Sequence, residues 1–357
     1  NGNKTEVNNY RPISIIPTFS KVLEKVILKR LLDHCEHYNL ITDKQHGFIK
    51  GKSTTTALIN FADFVLDNLE EGKLVTTLFL DLSKAFDCLG HDLILYKLEK
   101  LGIKDTAKMW FKSYLENRRQ IVEIKQTRNG VTEVTRSRSL PINRGVPQGS
   151  VLGPVLFILF TNDLPEYLET FCTTSMYADD TTLLLSGKKT DNLDVKCYTA
   201  LNMAYQYCHS NDLVVNPEKT NQLAFGRRCE EVPAIPEVDR KHQVKFLGVI
   251  VDESLSWSQH IDNLLPKLNS SLYVIKRIKS ISNTTTAKVA YHSLFETHLR
   301  YGLVVWGGTS ASNLQRVLVL QKRAIRALSG LGFREICKEV FISLKIMTVV
   351  NLYIKEV

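Results

Sequence analysis

The sequence predicts an α+β fold whose strands gather in the middle of the chain and whose end is a helical domain. Three observations predict it. Short runs rich in β-branched and apolar residues lie between Lys73 and Asp252. Apolar positions at helical spacing flank them. Beyond Trp257 the pattern stays helical to the last residue, with breaks near Asn283 and Gly307-Gly308. Strands in the centre with helices around them define the α+β class.

In order, the first helix is marked by Phe19, Val22, Leu23, Val26, Ile27 and Leu31, with Ser20 as its cap. Gly47 to Thr54 is a loop bearing glycine and lysine, and a helix with Ala57, Leu58, Phe61 and Val65 on one face follows. "KLVTTLFLDL", Lys73 to Leu82, reads as a central strand. Helices follow at about Asp92 to Leu101 and Thr106 to Asn117. "QIVEIKQTRNGVTEVTRS" is a hairpin, because Asn129-Gly130 is a strong type I′ turn signal between alternating strands. "VLGPVLFILFTNDLPEYL" reads as one buried helix, and "TSMYADDTTLLLS" as two short strands around an Asp pair. A helix spans about Leu193 to Cys208, and "KFLGVIVD", Lys245 to Asp252, is a further strand.

The bulk properties bound the function loosely. A chain of 357 residues allows two or three domains and a sizeable core. Its net charge of +9 suits a polyanionic partner. Seven scattered cysteines without a CxxC pair argue for free thiols in a reducing compartment. The longest apolar run, Val151 to Phe160, is too short to span a bilayer, so no membrane role is expected. A start at Asn1 suggests a piece of a longer polypeptide.

The chemistry lies in the acids. Asp179 and Asp180 interrupt a strand-like apolar run, and Asp81 sits where Leu78-Phe79-Leu80 delivers it, with Leu80 and Leu82 pointing the other way. Carboxylates meeting on adjacent strands repel one another, and divalent cations offset that repulsion. Mg²⁺ takes a few carboxylates together with substrate phosphates. Two such ions clamp the attacking and leaving oxygens of a phosphoryl transfer.

"YADD", "FLDLSKAFD" and "RGVPQGSVLGPVLFILFTNDL" together resemble the palm of reverse transcriptases. "NYRPISIIPTFSKVLEKVI" and "QHGFIKGKSTTTAL" are similar to the fingers blocks, and "NPEKTNQLAFG" to the block after the catalytic hairpin. "KFLGVIVDESLSW" resembles the primer grip, and "LRYGLVVWGG" the thumb region of the non-LTR (LINE-type) branch. The resemblance runs in order along nearly the whole chain and implies a right-hand polymerase. Residues 1–72 would form part of the fingers, 73–256 the palm with inserted elements, and 257–357 the helical thumb and the start of a C-terminal region. The endonuclease domain common upstream in full-length members is not in this sequence.

The resemblance also implies roles. Asp81, Asp179 and Asp180 would be the metal triad for two Mg²⁺ ions, with Mn²⁺ as a substitute, and the Leu82 backbone would face the triphosphate. Phe86 would be the gate that excludes a 2′-hydroxyl, with Asp87 holding the local turn. Gln148 and Gly149 would line the nucleotide pocket, Arg11 and Lys21 would neutralise the triphosphate, and Lys219 would protonate departing pyrophosphate. Lys50 and Lys52 would touch template or triphosphate. Lys276, Arg277 and Lys279, with Lys322, Arg323 and Arg326, would grip duplex backbone beside Tyr273 or Trp306. Partners would be template RNA, a DNA primer, dNTPs and the element's own RNA as a ribonucleoprotein, with synthesis in the nucleus and assembly in the cytoplasm. The rival readings are an RNA-dependent RNA polymerase, against which Phe86 and YADD argue, and a degenerate palm kept as an RNA-binding scaffold, against which the intact triad argues.

Overall fold

The computed structural model describes residues 10, 13–83, 85–128 and 130–357. In chain order it begins with helices α1 (Thr18–His37) and α2 (Thr54–Glu70), strands β1 (Leu74–Leu80) and β2 (Leu82–Ser83), and helices α3 (Ala85–Cys88), α4 (His91–Lys100) and α5 (Asp105–Leu115). Four strands, β3 (Arg119–Gln120), β4 (Glu123–Arg128), β5 (Val131–Arg136) and β6 (Leu140–Pro141), precede α6 (Gly153–Phe160) and α7 (Leu164–Leu168). The hairpin β7 (Thr173–Tyr177) and β8 (Asp180–Gly187) leads into α8 (Thr190–Ser210). Strands β9 (Val214–Val215), β10 (Asn221–Phe225), β11 (Asp239–Arg240), β12 (Gln243–Phe246) and β13 (Val249–Asp252) follow. Helices α9 (Ser258–Ile281), α10 (Thr284–Ala290), α11 (Thr297–Arg300), α12 (Leu303–Trp306), α13 (Ala311–Ser329), α14 (Lys338–Ser343) and α15 (Val349–Glu356) complete the chain. The mixture is α+β, with the strands where the alternation placed them.

The chain divides into two compact units. The first takes its described residues from 1–51, 79–183 and 196–220, and the second from 52–78, 184–195 and 221–357. The main sheet has the strand order β11–β10–β1–β8–β7. β1 sits in its middle, and every residue of β1 is buried, Thr76 and Thr77 included, which is why its sequence does not alternate between apolar and charged residues. β1 and β8 each carry the chain across the division: the end of β1 and the start of β8 fall in the first unit, their other halves in the second. In the second unit Ala57, Leu58, Phe61 and Val65 of α2 are buried as their spacing predicts, and Phe61 packs against Phe225 and Phe246. All seven cysteines are free thiols. Among the described residues no helix is long and apolar enough to cross a membrane.

Four local expectations change. Ser20 does not cap the first helix, which starts at Thr18 after Pro17 and has no side-chain cap. Most of the apolar stripe of α1 is also not its buried face: Phe19, Val22, Leu23 and Val26 are exposed, whereas Glu24, Leu31 and Cys35 are buried. The stretch from Val151 to Leu168 is two helices rather than one, parted by a turn at Thr161–Asp163. "KFLGVIVD" is not one strand but belongs to the hairpin β12–β13, because Leu247 and Gly248 both take positive φ (44° and 84°) and turn the chain back.

Candidate active site

Asp81 follows β1 directly. Leu80 and Leu82 are buried and the Asp81 side chain stays 39% exposed, as the strand alternation requires. The chain then leaves the main sheet. Leu82 and Ser83 pair antiparallel with Val215 and Val214, and the Asp81 carbonyl accepts from the Asn216 N–H at 2.8 Å. That pairing brings up the short turn Pro217–Lys219, and the Lys219 Nζ lies 3.6 Å from the Asp81 Oδ2.

The second acid pair sits at a hairpin tip. Ala178 and Asp179 form the turn between β7 and β8, and Asp180 opens β8. Asp179 is half-buried and Asp180 exposed, so the two neighbours meet different surroundings. Ala178 has φ 55°, a left-handed conformation that costs a residue with a Cβ about 1 kcal/mol. The buried side chain of Gln45 offsets it: its Oε1 accepts from the N–H of Gly47 at 2.7 Å and of Ala178 at 3.0 Å. The His46 N–H donates to the Met176 carbonyl and the Met176 N–H to the Lys44 carbonyl, at 2.8 and 2.9 Å. A Cβ on Gly47 would stand 2.5 Å from the Ala178 nitrogen, so only glycine fits there. Gln45 and Gly47 are the functional positions that reading the sequence missed. "QHGF" offered a polar residue and a glycine in a recognisable block, but nothing local says which turn they hold.

The third component is the turn at Arg144–Gly149. Its Gly145 and Val146 N–H groups donate to the carbonyls of Leu89 (2.7 Å) and Phe86 (2.8 Å). A Cβ at Gly145 (φ 78°) would meet Asp87 backbone at 2.8 Å. Gln148 Nε2 donates to both carboxylate oxygens of Asp87, at 2.9 and 3.0 Å. The turn is thus stapled to the segment carrying Phe86 and Asp87. The half-buried Phe86 ring lies 4.7 Å from that of Phe157 on α6. Gly149 has φ 96° at the foot of the turn. Beyond it, Glu24 of α1 accepts from the N–H groups of Val151 (2.6 Å) and Leu152 (3.2 Å). This explains why Glu24 is buried on α1: a carboxylate holding two backbone donors anchors the first half of the helix, while Leu31 and Cys35 bury the second half.

A buried polar knot fixes the far end of α6. Lys97 Nζ donates to the Phe160 carbonyl (2.7 Å), to Asp163 (2.8 Å) and to the Tyr207 hydroxyl (3.0 Å), and that hydroxyl donates to Asp163. Burial pulls the Lys97 ammonium below its usual pKa, against the opposing pull of Asp163.

The remaining expected residues are dispersed. Arg11 lies outside the described residues. Lys21 is exposed on α1 and Lys50 in a loop of the first unit, whereas Lys52 begins a segment of the second. Lys276 and Arg277 are exposed on α9, but Lys279 is half-buried and donates to the Thr284 hydroxyl. Tyr273 is exposed, while Trp306 is fully buried with its Nε1 on the Tyr301 carbonyl and so cannot meet a duplex. Among the described residues no three His, Cys, Asp or Glu side chains stand close enough to hold one ion. The donor chemistry of Asp81, Asp179 and Asp180 nonetheless fits Mg²⁺: all three offer hard carboxylate oxygens, lie in one unit and flank β1 and β8, which are neighbours in the main sheet.

Comparison with known proteins identifies the family. The family model described as reverse transcriptase (RNA-dependent DNA polymerase) matches residues 2–251. The RNA-directed DNA polymerase from mobile element jockey of Drosophila melanogaster is 30% identical over 339 residues, covering 91% of this chain and 36% of the relative. The probable RNA-directed DNA polymerase from transposon BS, also of Drosophila melanogaster, is 30% identical over 341 residues, covering 90% and 36%. The chain therefore spans about a third of the length of these curated relatives. Among solved structures, apo telomerase from Candida tropicalis aligns with a TM-score of 0.45 at 12% identity, over 91% of this chain and 61% of that one. The family model covers well over half of the chain, including both acid-bearing strands and the glutamine turn, and the chain belongs to the reverse transcriptase family.

Proposed function

We propose that this chain is the polymerase portion of a non-LTR retrotransposon protein, an RNA-directed DNA polymerase that extends a DNA 3′ end along an RNA template. The observation that carries the reading is the gathering in one unit of Asp81, the Asp179–Asp180 hairpin and the Gln148 turn, all within the segment the family model matches. In this reading 1–72 serve as fingers, 73–256 as palm and 257–357 as thumb, functional names that do not follow the compact units.

The reaction joins the primer 3′-oxygen to the α-phosphorus of a dNTP and breaks its bond to the β-phosphate, releasing pyrophosphate. Asp81 and Asp179, with Asp180, would hold two Mg²⁺ ions. When bound, such ions stabilise the attacking and leaving oxygens. The protein's own groups do the rest. The Gln148–Gly149 turn, held by Asp87, backs the incoming base pair. The half-exposed Phe86 ring presents bulk to the sugar. The Lys219 ammonium, near Asp81, neutralises or protonates the departing pyrophosphate. The element's RNA and a DNA primer are the macromolecular partners, and synthesis takes place in the nucleus.

Primer extension on an RNA template with dNTPs and Mg²⁺ tests the reading. Extension is expected with dNTPs and not with rNTPs, and chelation by EDTA should stop it. Asp179→Asn should lose about 10³-fold in rate with an unchanged circular dichroism spectrum. Near-normal extension by Asp179→Asn, or a preference for rNTPs, would overturn it.

A further inference from the structure

The second unit holds a groove lined by none of the candidate active-site residues. It runs between the later turns of α13, the connection through Glu335 and Cys337, and α14 up to the start of α15, and encloses about 800 Å³. Its lining carries Lys322, Arg326, Arg334, Lys338 and Lys345 against a single carboxylate, Glu335. That carboxylate is already engaged: Glu335 Oε1 accepts from the Gly332 N–H at 2.8 Å. Arg326 Nε donates to the Glu335 carbonyl at 2.8 Å. Lys322, Arg334, Lys338 and Lys345 have no carboxylate partner among the described residues. Lys322 and Arg326, which the sequence offered as duplex-gripping residues, line this groove.

The floor between these cations is apolar. Phe341 and Ile346 are buried in it, while Ile336, Ile342 and Met347 remain 87%, 64% and 42% exposed. Scattered exposed apolar residues need no explanation, but three on one groove mark a binding surface. The chemistry narrows the occupant. A single nucleic-acid strand is held by aromatic faces as well as cations, and the one aromatic lining this groove, Phe341, is only 7% exposed. A free phosphate would satisfy the cations and leave the aliphatic floor wet. An amphipathic helix satisfies both: apolar anchors at i, i+3, i+4 and i+7 cover the floor, and flanking Asp or Glu meets the rim. Met347 adds a side chain that repacks readily around such anchors.

We propose that this groove docks an acidic amphipathic helix of a partner protein, as a binding site separate from the polymerase centre. Affinity comes from the buried anchors, and charge complementarity sets encounter rate and orientation.

The test is fluorescence anisotropy on the full chain with a labelled helical peptide of about 16 residues, roughly 24 Å long, carrying Leu anchors and Glu flanks. Saturable binding in the micromolar range that weakens with salt is expected, whereas the same peptide with Lys in place of Glu should not bind. The pair Lys338→Glu and Lys345→Glu should weaken binding about tenfold or more, and so should Ile342→Asp at its exposed position, with primer extension and circular dichroism unchanged. The charge pair alone decides the matter if Ile342→Asp fails to fold. No saturable binding at about 100 μM, or equal binding of the Lys peptide, overturns the proposal. So does displacement of the peptide by single-stranded RNA with a parallel loss of RNA affinity in the variants, which would make the groove a nucleic-acid surface. Concentration-dependent dimerisation abolished by Ile342→Asp would assign it instead to a second copy of this chain.

Discussion

Gln45 shows how much one side chain can decide. Its single carbonyl holds the N–H groups of Gly47 and Ala178, and with them the turn that carries Asp179. Gln45→Ala leaves two buried donors unpaired and should cost about 2 kcal/mol or more, read from urea unfolding. Gly47→Ala places a Cβ 2.5 Å from the Ala178 nitrogen, so the turn must move. Extension should fall about 10²-fold, because a carboxylate displaced by an ångström no longer holds its ligand geometry. Wild-type turnover in Gly47→Ala would mean that this clasp is scaffolding only. Phe86 gives a second expectation at this scale. Its ring rests on Phe157 but stays half-exposed, so Phe86→Ala should raise rNTP use relative to dNTP use, measured nucleotide by nucleotide. An unchanged ratio would make the ring plain core. The acids were legible because carboxylates in strand-like apolar runs call for a cation, whereas Phe86 and Gln148 were offered only by resemblance to the family's blocks. Gln45 was not, since an amide that grips a backbone leaves no periodic trace.

At the scale of elements, the join between β13 and α9 is set by one buried acid. Asp252 accepts from the N–H groups of Ser254, Ser256 and Trp257 and from both serine hydroxyls. Burial pushes its carboxyl up, but these hydrogen bonds together outweigh burial and hold it below the usual range. One turn into α9, His260 is packed against Trp306 and accepts from the Ile250 N–H at 3.3 Å. Burial, with Lys267 adding to it, lowers its pKa from 6.5 to about 4. Between those values the unfolded chain binds a proton that the folded chain refuses, so stability drops as the pH is lowered across that window, by roughly 3 kcal/mol in all. Asp252 acts lower down: its stabilisation is present above its unfolded value of 3.8 and is lost as pH falls through its folded value. Unfolding free energies measured from pH 7 to 3 should show the His260 step, and His260→Gln should remove it. A profile flat from pH 7 to 4 in the wild type would contradict the buried neutral imidazole. The hairpin β12–β13 teaches the same limit of local reading. Its residues are strand formers throughout, and only the positive φ at Leu247 and Gly248 parts them.

For the whole molecule, the net charge of +9 is not one uniform field. Lys276 and Arg277 project from α9 into solvent, whereas Lys279 is committed to Thr284. If the exposed pair grips duplex phosphates, Lys276→Gln with Arg277→Gln should flatten the log–log salt dependence of RNA–DNA binding by about two units and shorten extension products. Lys279→Gln should leave the slope alone and cost only stability. Equal slopes in all three proteins would leave the pair as solvated surface. The two compact units, each assembled from separated stretches, show why linear boundaries are a poor guide here. The blocks that resemble fingers, palm and thumb follow one another in sequence, but β1 and β8 each pass from one unit to the other within a single strand.

By itself the sequence determined the α+β class, the type and order of most elements, and which acids are candidates for phosphoryl-transfer chemistry. Period and residue type are local properties, and a polymerase needs carboxylates, a bulky ring and a glycine turn whatever surrounds them. The tertiary structure alone decided which face of α1 is buried, where the chain turns inside apolar runs, and what holds each catalytic loop. The first and last of these rest on a few hydrogen bonds between distant stretches: Glu24 to Val151 and Leu152, Gln45 to Ala178, Gln148 to Asp87. A buried backbone N–H must find an acceptor somewhere, and local sequence does not say which distant side chain will supply it.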